Sequence, residues 1–147
     1  MRRKSKLKPR QKPSPDVLTI KKIDAAISQL EAAILLWFHE ASPVAIHGLA
    51  AAAHDCFQSI SKHPNKPPFF QTWLGSLPKS AQVRERNFQK FIKHGFKDLK
   101  GKVSFSPKHG EALMWGSLWC YEDLFAMRSP LLALFHARFL IENPQFY

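Results

Sequence analysis

Residues 20–62 read IKKIDAAISQLEAAILLWFHEASPVAIHGLAAAAHDCFQSISK, and they contain two helices with a turn between them. Ile20, Ile23, Ile27, Leu30, Ile34 and Trp37 recur at alternating steps of three and four, which lays one apolar stripe along a helix. The first helix is predicted over 19–41. Ala25, Ala26, Ala32 and Ala33 raise its helical propensity and permit close packing. Leu35, Leu36 and Phe38 widen the stripe, so its C-terminal end should be covered on more than one side. Ser42-Pro43 then supplies an N-cap residue followed by proline at the first helical position. The second helix should run to about Lys62, with Ile46, Leu49, Ala53, Phe57 and Ile60 facing the core. The alanine run from Ala50 to Ala53 keeps one side slim, and the short connection predicts an antiparallel hairpin.

Working outward, the Ser-Pro signal recurs twice. Ser106-Pro107 opens a predicted helix over 108–127, with Leu113, Leu118, Tyr121, Leu124 and Phe125 as core candidates. Ser129-Pro130 opens a last helix to about Glu142, and Asn143-Pro144 closes it. Between the first helical pair and Ser106 lie a loop at 63–68 and a short helix from Phe69 to Leu77, with Phe70, Trp73 and Leu74 pointing inward. A helix capped by Ser80 follows, reaching about Leu99, with Val83, Phe88, Phe91, Ile92, Gly95 and Leu99 on its apolar side. Lys102–Phe105 should be short and extended. No convincing alternating strand pattern occurs. The fold class is therefore all-α: a bundle of five to six helices in one domain over 19–147, behind a basic N-terminal tail over 1–18. That tail is expected to be disordered, because Pro9, Pro13 and Pro15 block regular structure and its like charges repel.

The formal net charge is +11 over 147 residues, but it is unevenly spread. Residues 1–13 hold seven basic side chains and no acidic one, which leaves the body at only +4. Such an arm can attract nucleic acid or an anionic membrane surface by counterion release, or serve as a solubilising terminus. No apolar run reaches the roughly 18 residues of a membrane span, and no apolar stretch follows the charged start as in a secretory leader. Cys56 and Cys120 each lie in an apolar helical pattern without a Cys or His at metal-ligand spacing. Buried free thiols and a cytoplasmic location are expected. The sequence has no Gly-rich phosphate loop, no Cys-x-x-Cys and no Glu-x-x-His pair, so neither a cofactor nor a metal is expected.

The strongest surface feature lies on the 80–99 helix. Arg86, Lys90, Lys93 and Lys97 follow i, i+4, i+7 and i+11, which places them within roughly 60° of each other opposite the apolar side. His94 borders this cationic ridge, which is about 16 Å long and matches several phosphates of a nucleic-acid backbone. A plain solvated face accounts for the same pattern. His47 and His54 stand one heptad apart at the margin of the second helix's core face, about 10 Å apart along the axis. They are expected to hydrogen-bond to neighbouring helices, and one of them could line an interhelical polar pocket. Arg84 falls within the apolar arc of its helix, where it would need an acidic partner such as Asp24, Glu31, Glu122 or Asp123.

Two segments carry a family resemblance. The run from Asp24-Ala25-Ala26 through Pro43-Val44-Ala45-Ile46-His47-Gly48-Leu49-Ala50, and then Phe91-Ile92-Lys93-His94-Gly95 with Phe105-Ser106-Pro107, resembles a family of small bacterial helical proteins. That family shows a Pro-Val-x-Ile-His helix start and an Asn-Phe-Phe-Lys-His-Ala motif. The resemblance covers about residues 20–127. It implies no reaction, but it nominates His47, Lys93 and His94 as positions that face one another. Lys90 replaces the motif Asn here, and Phe96 stands where an Asp usually follows. A more distant similarity is to HEPN-type helical domains, many of which bind or cut RNA. Their hallmark is an Arg, four to six residues, then a His. Seven residues separate Arg86 from His94 and Arg128 from His136, so the nuclease spacing is not met.

Three functions follow in order of preference. The first is a non-enzymatic module that contacts nucleic acid through the basic tail and the Arg86, Lys90, Lys93 and Lys97 face. The second is a self-associating module. It would use the aromatic excess of Trp115, Trp119, Tyr121, Phe125, Phe135, Phe139, Phe146 and Tyr147 to form a homodimer. The third is a HEPN-like, metal-independent ribonuclease in which His94 is the catalytic candidate, with His47 as the other.

Overall fold

The computed structural model describes residues 17–60, 69–93 and 101–146. Within them are α1 (Lys22–Phe38), α2 (Pro43–Ile60), α3 (Phe69–Ser76), α4 (Lys79–Lys93), α5 (Pro107–Leu124), α6 (Pro130–Glu142) and a 3-10 turn at Pro144–Phe146. No strand occurs among the described residues, so the all-α bundle stands. The expected tail as far as residue 16, the 63–68 loop, the side chains of Phe70 and Lys93, and His94, Gly95, Lys97, Leu99 and Tyr147 lie outside the described residues. No helix of the described residues is long and apolar enough to cross a membrane.

All three Ser-Pro pairs stand immediately before and at the first residue of a helix: α2, α5 and α6. The serines do not act alike. Ser129 Oγ accepts a hydrogen bond from the Leu132 amide at 3.3 Å, whereas Ser106 makes no side-chain cap bond. Ser129→Ala is therefore expected to cost about 1 kcal/mol and Ser106→Ala much less, as read from urea unfolding midpoints. Ser80 is a correction: α4 already begins at Lys79, and the Pro78 carbonyl accepts from Ala81 and Gln82.

The first turn closes α1 in a Schellman arrangement. The Ala41 amide donates to the Leu36 carbonyl and the Glu40 amide to the Trp37 carbonyl. Glu40 takes the left-handed backbone conformation this needs, with φ 50°, in a place usually held by glycine. Along α1, Leu30, Ile34 and Trp37 are buried and Ile23 and Ile27 half-buried. Ile20 is exposed because it precedes the helix, and Leu35 also faces outward.

α2 is the central element, packing against α1 on one side and α5 on the other. Ala26 and Ala33 of α1 and Ala50 and Ala53 of α2 are wholly buried, as close helix approach requires. The core continues through Phe57, Leu113, Met114, Leu118 and Leu132. Trp115 stacks on Phe139 at 4.5 Å, and Phe135 meets Trp37 edge-on at 5.2 Å. Of the C-terminal aromatics, Trp115, Phe135 and Phe139 are thus absorbed, Tyr121 and Phe146 are half-buried, and Trp119 and Phe125 are exposed. Cys56 and Cys120 are free and half-buried, less enclosed than expected.

α4 approaches the bundle least closely among the described helices. Its buried side chains, Glu85 and Phe88, reach across the gap.

Candidate functional site

Helix α2 enters the core one turn after Pro43, and that turn carries His47 inward until it is 0% exposed. α5 meets α2 at the same level. A Cβ on Gly110 would lie 3.5 Å from the His47 Cα, so the two backbones run close and the preceding residue, His109, is brought beside His47. α4 supplies the third member. Glu85 lies one turn before Phe88 on the inward side of the helix, and it too is 0% exposed.

These three side chains form one network. His47 Nε2 bonds to Glu85 Oε1 at 2.7 Å, and His109 Nδ1 bonds to Glu85 Oε2. Gln89 Nε2, one turn further along α4, donates to Glu85 Oε1 at 3.0 Å. Burial by itself pushes the Glu85 carboxyl up from its ordinary value of 4.5. The hydrogen bonds from His109 and His47, and the charge they carry, outweigh burial and bring it down to about 2. The carboxylate is thus ionised at neutral pH and only accepts hydrogen bonds, so both imidazoles donate to it. The His47 Nε2 hydrogen is directed to Glu85, which leaves Nδ1 as the ring's other polar atom. That Nδ1 is buried and has no hydrogen-bond partner among the described residues.

Aromatic rings enclose the network. Phe88 meets the His47 ring edge-on at 4.6 Å and stacks on Phe105 at 4.0 Å, with 8° between their planes. Trp73 of α3 meets His109 edge-on at 5.2 Å. The segment before α5, read from sequence as a short extended piece, thereby places Phe105 as a cover. Among the described residues no cluster of His, Cys, Asp or Glu is arranged to hold a metal ion.

Beside His47 a cleft of about 270 Å³ opens between α2 and α4. His47, Gly48, Ala51, Ala52 and Asp55 line it from α2, and Gln89 and Ile92 from α4. On the outward side of α4, Lys79, Arg84, Arg86 and Lys90 are exposed. Lys79, Arg86, Lys90 and Lys93 fall within about 60° of each other on the helix, next to Gln89. None of the four exposed cations forms an ion pair among the described residues, and the single carboxylate of α4, Glu85, is turned inward.

Arg84 is a second correction. It is exposed and needs no buried partner. The inward arc of α4 contains Phe88 as expected but extends to Glu85, so its centre lies about 50° round from that of the hydrophobic pattern, which also leaves Val83 on the surface. Of the expected site residues, His47 sits in the network, Arg86 and Lys90 lie on the outer face, and Lys93 continues their register. His94 and Lys97 are outside the described residues. His54 is buried like His47, but it bonds to Gln58 of its own helix at 3.1 Å. Glu85 and His109 were not anticipated. Their signal was phase: Glu85 keeps step with Phe88 and Ile92, and His109 with Ala112 and Gly116.

Comparison of the chain with models of known protein families, with curated proteins and with solved structures finds no match.

Proposed function

We propose that this protein is a helical module that binds nucleic acid through the outward face of α4, assisted by the basic residues 1–13. The observation that carries this reading is the inward turn of Glu85. It removes the only negative charge of α4 from the surface and leaves a row of cations without local compensation. From Lys79 to Lys90 the row extends about 16 Å, at 1.5 Å of rise per residue. Cations on such a row displace counterions from several consecutive phosphates, which gives affinity without sequence selectivity.

Binding of this kind depends on salt. Fluorescence anisotropy with a labelled oligonucleotide should show affinity falling steeply as salt rises. The double variant Arg86→Glu/Lys90→Glu should bind about tenfold or more weakly and lower the salt slope by about two, one for each cation taken away from a phosphate. Removal of residues 1–13 should cost most of the remaining affinity. Absence of binding at low salt, or binding indifferent to salt, would show the reading to be wrong.

A further inference from the structure

We propose that the cleft between α2 and α4 takes one unpaired nucleobase of a single-stranded nucleic acid, whose phosphates lie along the α4 cations. This inference rests on the nucleic-acid reading and gives it a preferred form of substrate. The size of the cleft fits such a ligand. About 270 Å³ is at the low end for small-ligand sites, enough for one heterocycle and too little for a base pair.

The chemistry of the cleft wall fits it as well. His47, which lines the cleft, has a buried Nδ1 without a partner among the described residues, and buried polar atoms are rarely left so. With Nε2 committed to Glu85, Nδ1 is the ring's remaining polar atom, and every nucleobase offers both N–H donors and acceptors on its pairing edge.

Gly48 adds a shape. It lies in the body of α2, where glycine costs about 1 kcal/mol relative to alanine. A Cβ at this position would meet nothing within 4 Å, so packing of the bundle does not require glycine. The missing side chain instead leaves the cleft wall open. Together with Ala51 and Ala52 it forms a smooth apolar surface opposite Ile92, against which a flat ring can lie. The cations are also in the right place. Arg86 and Lys90 directly follow Glu85 of the network and Gln89 of the cleft, so each stands about 100° round α4 from the cleft side.

The test compares three labelled ligands by anisotropy: a short mixed-sequence DNA strand, the same length of strand built from abasic sites, and the blunt duplex. The wild-type protein should bind the base-bearing strand about tenfold more tightly than the abasic strand, with the duplex also weaker. Gly48→Leu fills the cleft from its open wall and should bind the base-bearing strand no better than the abasic one. Circular dichroism melting, with Gly48→Ala alongside as the milder change, verifies that the filled variant folds. Equal, salt-sensitive binding of all three ligands by the wild type would overturn the base site and leave the phosphate reading standing. Retention of the preference by folded Gly48→Leu would also overturn it. Binding of none of the three would overturn both.

Discussion

Glu85→Ala is expected to lower the unfolding free energy by about 3–5 kcal/mol, the usual penalty for removing one partner from a buried charged network. The reason lies in what remains. His47 and His109, both enclosed, lose the acceptor that each now donates to, and every unsatisfied buried donor costs about 1–3 kcal/mol. Gln89 loses its acceptor as well. For a domain of this size, with a total stability of about 5–15 kcal/mol, that is a large share. Urea denaturation at neutral pH measures it. Glu85→Gln should fall well short of the alanine penalty. Its amide oxygen accepts from one imidazole and its NH₂ donates to the other in the alternative tautomer. If alanine is tolerated within about 1 kcal/mol, the network does not hold α4 to the bundle.

The second large effect is on acid stability. Glu85 has its carboxyl near 2 in the folded protein and at an ordinary 4.5 once unfolded. A carboxyl lowered by folding adds stability that is fully present above the unfolded value and is lost as pH falls toward the folded one. The window therefore runs from about 4.5 down to about 2, and the size of the loss is of order 3 kcal/mol. Urea midpoints across this range should fall steeply for the wild type. In Glu85→Gln, which has no proton to gain at this position, the decline should be shallower by that amount. Parallel pH profiles for the two proteins would refute the assignment of the acid transition to Glu85.

Much of the bundle was legible because its signals are local. Ser42-Pro43, Ser106-Pro107 and Ser129-Pro130 each mark a helix start through local geometry, without reference to any distant residue. The stripe of α1 was readable in the same way, apart from Ile20, which falls before the first turn. The site was less legible. His47 could be placed as a buried, hydrogen-bonded imidazole, but its partner stands 38 residues away and nothing in its own helix points to it. Glu85 was hidden by its polarity. Hydrophobic periodicity assigns a carboxylate to the surface, and this one is buried because two imidazoles from other helices meet it. That single inversion also turned the inward arc by about half a residue step and drew Arg84 inward in the sequence reading, where the structure has it in solvent.

The distance of α4 from its neighbours has a consequence for how the protein breathes. A helix whose backbone stands off from the bundle, and whose buried side chains are Glu85 and Phe88, can detach at the expense of comparatively few interactions. The α1–α2–α5 core then stays intact, and α4 forms a sub-global opening unit with a lower free energy than complete unfolding. A ligand seated between α2 and α4 is bound by the closed form alone. By linkage it must raise the free energy of that opening by as much as it favours the closed form over the open one.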